Sequence, residues 1–495
     1  ADAPAGPSPT TPARAPRRPA TGAARPAASA AGTYTQGPLV LASGPSPFAA
    51  CTVGGPGTNY PNSEVEPFVA VNPANPSNII GVFQQDRWDN GGAHGIIAPV
   101  THDGGQTWTR TWPHFSTCAG GTAANGGNYD RSSDPWVTFA RNGDAYFISL
   151  SASADLLTSA VLVSKSTNGG DTWSEPTTLI SERSAFHFND KESITADPTN
   201  ASNVYAVWDR SRFPSENADF NALRSAAFRG PATFSRTTDG GATWSAPRNI
   251  MPTNANLFSI GNQVAVLPDG SLVDVFELFH GSGRQPSPNQ FTESLMRSTD
   301  KGLTWSGVID ISTDQSVAVR DPDTGAAVRA GAGLPDVAVD PNNGTLYVVW
   351  NDSRFSGGLR DDVALSKSTD GGRTWSTPTK VNQTPVPVAA FTPSVEVAAD
   401  GTVSVSYYDF RNNTPAPGAL TDAFLAHSHD GGATWAENRL TPSSFDIEQA
   451  PVARGYFLGD YEGLTSAGAR FLPFFVQAVS APTNPTDAFF TTVGP

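Results

Sequence analysis

Residues 368–375, STDGGRTW, recur in five further versions along the chain. The other copies begin at Thr101, Ser166, Thr237, Ser298 and Ser428 and read THDGGQTW, STNGGDTW, TTDGGATW, STDKGLTW and SHDGGATW. The Asp of each copy, replaced by Asn168 in the second, accepts backbone N–H groups in a turn, and the Gly two residues later permits a positive φ. The final Trp anchors the turn in the core. Because Lys301 replaces the first glycine of one copy, the turn geometry rests on the second glycine.

This motif is identified as the Asp box, and the chain resembles the sialidase-like family of secreted β-propeller proteins. The six copies span most of the chain after about the first 35 residues. In that family the box is a turn between the third and fourth strands of a blade, on the face opposite the active site. The resemblance implies a propeller and removes the boxes from the search for a site. It does not by itself imply an activity, because one fold hosts many functions.

The segments between boxes alternate in short β-rich runs, and the same unit can be traced seven times. The first strands of these units begin near Pro67, Pro135, Ser193, Gln263, Asp336, Ser394 and Gly463. The seventh unit has neither a box nor a fourth strand, whereas the segment from Thr33 reads like the stretch that starts at Thr172. We predict an all-β, seven-bladed propeller in which residues 33–43 form the outer strand of the last blade. A six-bladed ring, as in the sialidases, is the alternative.

The chain of 495 residues has a net charge of −15 and a pI near 4.8, which argues against a nucleic-acid partner. No apolar run approaches the ~20 residues that span a bilayer. Residues 1–32 are almost entirely Ala, Pro, Thr, Gly, Ser and Arg, so we predict a disordered leader followed by a single propeller domain over residues 33–495. The leader lacks an apolar segment, which indicates an exported protein whose signal peptide has been removed. We expect an extracellular monomer.

The chain contains two cysteines, Cys51 and Cys118. Two free thiols are less expected than one disulfide in an exported chain. Both cysteines fall in loops that enter adjacent predicted blades on the same face. We therefore predict that they are joined.

Function is expected on the face opposite the boxes, where loops enter the first strand and leave the second strand of each blade. Four of the loops that leave second strands contain an Asp followed by an Arg, in QDRWD, WDRSR, NDSR and YDFR. Such a pair braces a loop in many proteins, but arginines gathered on one face also offer forked donors to carboxylate, sulfate or hydroxyl groups. The family uses an arginine triad, although its Arg-Ile-Pro motif is absent here. The predicted substrate-binding residues are Arg87, Arg212, Arg354, Arg411 and Arg454.

Acidic residues mark the starts of several first strands, near the predicted propeller axis: Glu66, Asp134, Glu192, Asp336 and Glu462. They are interpreted as a hydrated tunnel lining, a structural Ca²⁺ site, or a general acid and base pair. The family's tyrosine nucleophile draws attention to Tyr461, which precedes an acidic residue. That pair works only if GDYEG is a loop, since adjacent strand residues point to opposite sides. The predicted catalytic residues are Glu192, Asp134, Tyr461 and Glu462.

These features predict an exported glycan-active enzyme, a sialidase-like glycoside hydrolase that acts on acidic saccharides. The carbohydrate is the expected partner, and the chemistry requires no cofactor, with a structural Ca²⁺ ion as an open alternative. Two further functions remain open. One is a non-catalytic propeller that binds glycan or protein, and the other is a polysaccharide lyase.

Overall fold

The computed structural model describes residues 34–213, 229–251, 257–280, 291–481 and 483–495. Within these ranges the regular structure is almost entirely β, and the helical elements are two 3₁₀ turns, Arg354–Ser356 and Ile447–Gln449. The predicted all-β class is confirmed. The predicted leader, residues 1–32, lies outside the described residues. None of the helices in these ranges has the length and apolar character needed to cross a bilayer.

The strands follow one another in groups of about four. The first ten are β1 Thr35–Gln36, β2 Val40–Leu41, β3 Glu64–Val71, β4 Ile79–Arg87, β5 Ala93–Thr101, β6 Thr109–Thr111, β7 Arg131–Phe139, β8 Ala145–Ala152, β9 Thr158–Ser166 and β10 Thr177–Arg183. The next eight are β11 His187–Ala196, β12 Val204–Arg212, β13 Ala232–Thr237, β14 Arg248–Asn249, β15 Leu257–Val266, β16 Leu272–His280, β17 Phe291–Ser298 and β18 Ile309–Thr313.

The second half of the chain continues the pattern. Its strands up to the last box are β19 Val328–Arg329, β20 Asp336–Val339, β21 Leu346–Asp352, β22 Asp362–Ser368, β23 Thr379–Lys380, β24 Ala390–Val397, β25 Val403–Asp409 and β26 Leu420–Ser428. The last strands are β27 Ala436–Arg439, β28 Phe445–Asp446, β29 Tyr456–Phe457, β30 Gly463–Ala467, β31 Arg470–Ala481, β32 Asn484–Phe490 and β33 Val493–Gly494.

Consecutive strands pair antiparallel within each group, as in β11–β14, β15–β18 and β20–β23. The groups β3–β6 and β7–β10 are joined into one sheet by a single pairing, Ala93 with Ser132. The first strands β3, β7, β11, β15, β20, β24 and β30 pack against one another in that order, and β30 packs against β3. This closed succession is the arrangement of a β-propeller. The predicted propeller is confirmed, while the blade count stays a prediction.

The N-terminal segment pairs with the C-terminal strands. In β1, Thr35 and Gln36 lie opposite residues of β33, and in β2, Val40 lies opposite Phe490 of β32. The hydroxyl of Ser43 donates to the carboxylate of Asp487 at 2.8 Å. The predicted pairing of this segment in the last blade is therefore confirmed, and it covers the edge of β32 that would otherwise be exposed.

The Asp boxes form the turns that the sequence predicts. In the copy at residues 368–375, Asp370 Oδ1 accepts the backbone N–H groups of Arg373 and Thr374, both at 2.9 Å, and its Oδ2 accepts the Thr374 hydroxyl at 2.6 Å. These bonds hold the pKa of the Asp370 carboxyl below its usual value. Gly372 has a φ of +83°, which only glycine adopts without strain. Trp375 packs against the buried residues of one hydrophobic cluster.

The disulfide between Cys51 and Cys118 is present, at a sequence separation of 67. It ties the loop that enters β3 to the loop that enters β7. The prediction from the sequence is confirmed.

Removal of residues 1–43 should destabilise the fold, because it deletes β1 and β2 and exposes the edge of β32. A thermal melt of this truncation should show a clearly lowered Tm. The control, deletion of residues 1–30, keeps both strands and should melt with the full chain. Equal melting temperatures for the two truncations would contradict the role of the N-terminal strands.

Candidate functional site

A two-residue bulge interrupts five of the first strands. The strand register shifts at residues 66–67 in β3, 134–135 in β7, 191–192 in β11, 261–262 in β15 and 392–393 in β24. The first residue of each bulge has a positive φ, for example +53° at Glu66, +48° at Asp134 and +47° at Lys191. Such backbone is strained for residues other than glycine, and bulges re-aim side chains. The strain directs these three charged side chains to one place.

The ammonium of Lys191 lies among three carboxylates. Its Nζ is 2.9 Å from Glu66 Oε1, 2.9 Å from Asp134 Oδ1 and 2.8 Å from Asp460 Oδ2. Burial lowers the pKa of Lys191, but Asp134, Asp460 and Glu66 together raise it well above its usual value. Lys191 Nζ also lies 5.2 Å from the centre of the Tyr461 ring. Lys191 therefore stays charged and offsets part of the negative charge of the three acidic residues.

Two arginines extend the cluster. Arg329 donates to both carboxylate oxygens of Asp460, with Nε 2.9 Å from Oδ1. Arg87 donates to Gln84 Oε1 at 2.6 Å, and its Nη1 lies 4.0 Å from Glu66. Both guanidinium groups lie over the ring of Phe457, at 4.2 Å for Arg329 and 5.0 Å for Arg87. Arg329 reaches this place because β19 pairs in parallel with β29.

A cavity of about 370 Å³ opens beside this cluster. Its charged lining consists of Glu66, Arg87, Asp89, Arg131, Asp134, Asp190, Lys191, Arg329 and Arg454. A second part of the lining is apolar and consists of Leu150, Ala152, Leu156 and Phe188. Negatively and positively charged side chains beside an apolar surface are typical of a ligand-binding site.

Two carboxyl groups of the cavity titrate near neutral pH. Burial, with the nearby Asp134 carboxylate, raises the pKa of Glu66 to about 7 and that of Asp190 to about 6. Glu66 is held by Lys191, whereas the Asp190 carboxylate has no hydrogen bond or ion pair to any of the residues described above. A carboxyl group with such a pKa is suited to deliver or accept a proton at neutral pH.

Arg454 lies in the loop before β29 with a φ of +67°. Its guanidinium lines the cavity and, over the described ranges, makes no hydrogen bond or ion pair. The residue as a whole is exposed, while partial desolvation of its guanidinium and the neighbouring Arg329 lower its pKa. An arginine without an acidic partner in a cavity lining is a ready donor to an anionic ligand.

Three of the five predicted substrate-binding arginines lie outside the cavity lining. Arg354 is paired with Asp352, with Nε–Oδ1 at 2.8 Å and Nη2–Oδ2 at 2.6 Å. Arg411 is paired with Asp409 at 2.6 Å and with Glu437 at 2.7 Å. Arg212 is exposed at the end of β12. For Arg354 and Arg411 the structure thus favours the interpretation of an Asp–Arg pair that braces a loop.

The cavity of about 370 Å³ beside Lys191 is called the main cavity below. Of the predicted catalytic residues, only Asp134 lines it. Glu192, Tyr461 and Glu462 lie with Asp134 around a neighbouring cavity of about 30 Å³, which is room for little more than one water molecule. GDYEG is a loop before β30, as the prediction required. Burial raises the pKa of all three groups well above their usual values, and the Glu66 carboxylate adds to the rise for Tyr461.

Among the residues that the structure describes, no three His, Cys, Asp or Glu side chains form a group that could hold a metal ion. The ammonium of Lys191 lies where the carboxylates of the main cavity converge. A structural Ca²⁺ ion therefore stays a prediction.

The chain was compared with known proteins. No protein-family model matches it. A xyloglucanase of Hypocrea jecorina (strain QM6a) is 26% identical over 216 residues, 42% of this chain and 22% of the relative. A sialidase of Clostridium perfringens is 25% identical over 261 residues, 50% of this chain and 61% of the relative. Both relatives extend well beyond the part that the chain matches.

Among solved structures, the Hadza microbial sialidase Hz136 aligns with 85% of this chain and 74% of its own, at 15% identity and a TM-score of 0.49. The closed succession of antiparallel groups, the six Asp boxes and the matched sialidase sequence agree with one another. The chain has a sialidase-like propeller fold.

Four residues at the centre of this sialidase-like propeller were not predicted as site residues: Asp190, Lys191, Arg329 and Asp460. Glu66 was named among the acidic residues at the starts of first strands but not among the predicted catalytic residues. For Glu66 and Lys191 a signal exists in the sequence, since both occupy the same place as Asp134 at the start of a first strand. Arg329 has no such signal, because it lies in an insertion between repeat units.

The free energy of unfolding of this propeller should fall as the pH rises from about 4.5 to about 7, through the contribution of Glu66. Its pKa is raised in the folded state to about 7, so the folded protein binds more protons than the unfolded chain in this window. In the Glu66→Gln variant the fall should be shallower. Chemical denaturation across this pH range measures the effect.

The control for this experiment is Glu175→Gln. Glu175 is an exposed carboxylate beside His114 and is not part of the cavity lining. The dependence of the free energy of unfolding on pH should be the same in this variant as in the unmodified protein. If the pH dependence of the free energy of unfolding were also unchanged in Glu66→Gln, the raised pKa of Glu66 would be contradicted.

Proposed function

We propose that this protein is an exported glycoside hydrolase that cleaves acidic saccharides in the cavity beside Lys191. The observation that carries the proposal is the meeting of near-neutral carboxyl groups with cationic side chains in one cavity. The names of the two curated relatives, a sialidase and a xyloglucanase, support a glycan as substrate. The disulfide supports export, because disulfides persist in oxidising compartments.

Cleavage of a glycosidic bond requires a group that protonates the leaving oxygen and a second group that stabilises or attacks the sugar. We assign the first role to Asp190, whose pKa near 6 keeps part of the population protonated at neutral pH. The carboxylate of Asp134, 2.9 Å from the Lys191 ammonium, is assigned to the second role, because its negative charge faces the positive charge that develops on the sugar. Glu66 is the alternative acid.

The acidic group of the saccharide is assigned to Arg454, with Arg329 and Arg87 nearby. A guanidinium presents paired N–H donors that match a carboxylate or sulfate. Arg329 already binds Asp460 with two donors, so Arg454 has the greatest capacity for a new partner. This arrangement supports an acidic rather than a neutral sugar.

Glu192, Tyr461 and Glu462 stay an alternative catalytic set on the same face. Tyr461 would need to lose its proton to act as a nucleophile, and burial together with the Glu66 and Asp134 carboxylates opposes that loss. A saccharide also has less access to these three side chains, because they line only the smaller cavity of about 30 Å³. The geometry therefore supports Asp190 and Asp134 over this set.

The Asp190→Asn variant should lower turnover of a cleaved saccharide at least 100-fold, because it removes the proton donor, with little change in Tm. The assay is release of reducing ends from a panel of acidic polysaccharides and oligosaccharides. Glu175→Gln is the matched control and should keep full activity.

The same panel separates the proposed reaction from its rivals. Products that absorb in the ultraviolet as unsaturated uronates would show a lyase, and binding without any product would show a non-catalytic propeller. If Glu192→Gln or Tyr461→Phe abolished turnover while Asp190→Asn kept it, catalysis would belong to the smaller cavity instead.

A further inference from the structure

The cavity has an apolar part that cleavage of an acidic sugar does not by itself use. Leu150, Ala152, Leu156 and Phe188 line it, and the first two and Phe188 are buried in one cluster with Phe213. Leu156 packs against this cluster from the turn before β9. The apolar lining is therefore a fixed surface built from β8, β11 and the turn between β8 and β9.

The turn holds Leu156 in a strained conformation. Leu156 has a φ of +56°, and its N–H donates to the Ser153 carbonyl at 2.9 Å. The next N–H, of Leu157, donates to Asp155 Oδ1 at 3.0 Å. Such a conformation is uncommon for leucine, and it places Leu156 in the cavity lining and Leu157 at the surface.

Two exposed apolar residues lie close in sequence to the lining. Leu157 is 36% exposed and Phe186 is 41% exposed. The Phe186 carbonyl accepts the N–H of Phe213 at 2.8 Å, so the pairing of β11 with β12 extends one position beyond His187. Phe186 lies in the bend that precedes β11, two residues before Phe188 of the cavity lining.

Scattered exposed leucines are common on protein surfaces and need no explanation. Leu303 is such a case, exposed in an Asp box. Leu157 and Phe186 differ because they flank the lining of the cavity, and the Leu157 carbonyl is linked to this segment by the Ser184 N–H at 2.7 Å. Two exposed apolar residues are thus close in sequence to the apolar lining, on segments that are hydrogen-bonded to each other.

We propose that this surface binds the aglycone, so that the substrate is an acidic sugar linked to an apolar alkyl or aryl group. The inference rests on the proposed function of the cavity. With about 370 Å³, the cavity is at the small end of ligand sites, and it accommodates one sugar and a short apolar group rather than a long saccharide. The acidic group of the sugar lies at Arg454, and the apolar aglycone extends past Leu156 towards Leu157 and Phe186.

Equilibrium binding of simple probes tests this inference. The probes are methyl β-glucuronide, hexyl β-glucuronide and hexyl β-glucoside, measured by titration calorimetry on the full chain. Hexyl glucuronide should bind at least tenfold more tightly than methyl glucuronide, because its additional methylenes are removed from water. It should also bind more tightly than the neutral hexyl glucoside.

The double substitution Leu157→Ser and Phe186→Ser should reduce the hexyl-to-methyl ratio to less than threefold. Both side chains are partly exposed, so the fold should be retained, and a melt checks this. The control Leu303→Ser replaces an exposed leucine of an Asp box and should leave the ratio unchanged.

Equal binding of the methyl and hexyl glucuronides would overturn the aglycone subsite and leave the acidic-sugar proposal standing. A tenfold preference for hexyl over methyl glucuronide, with the hexyl glucoside bound as tightly as the hexyl glucuronide, would support the subsite and contradict acidic-sugar recognition. A hexyl preference that survives the double substitution, or no binding of any probe, would overturn the inference.

Discussion

The ammonium of Lys191 is the contact on which the arrangement of the site depends. It holds carboxylates from β3, from β7 and from the loop before β30 within 2.9 Å. Without a cation between them, Glu66, Asp134 and Asp460 would place like charges together in a poorly solvated space. The bulges at residues 66, 134 and 191 bring these side chains together. One lysine thus couples blades that are far apart in sequence.

The same cluster divides the acidic groups into two kinds. Asp460 is held ionised by Arg329 and Lys191, which overcome the effect of burial and keep its pKa well below the usual value. Glu66 and Asp190 are dominated by burial and by the charge of Asp134, so their pKa values rise towards neutrality. A carboxylate that is held ionised and carboxyl groups with raised pKa values therefore lie side by side, and their neighbours rather than their residue type determine the difference.

The sequence predicted the features that local chemistry determines. The Asp boxes, the pairing of the N-terminal strands and the disulfide follow from turn residues, repeat spacing and cysteine count. The site was predicted less well. Arg354 and Arg411 have acidic partners of their own, and Arg329 comes from an insertion without a repeat. The bulges also interrupt the regular alternation of side-chain direction along a strand. Lys191 lines the main cavity, whereas its neighbour Glu192 does not.

The most direct test of the role of Lys191 is the free energy of unfolding of Lys191→Met at neutral pH, measured by chemical denaturation. The matched control is Lys165→Met, since Lys165 pairs with Asp144 at 2.7 Å in a more exposed place. Removal of the buried cation should cost about 3–5 kcal/mol, whereas the exposed pair should cost about 1 kcal/mol or less. Equal losses for the two variants would contradict a site organised around Lys191.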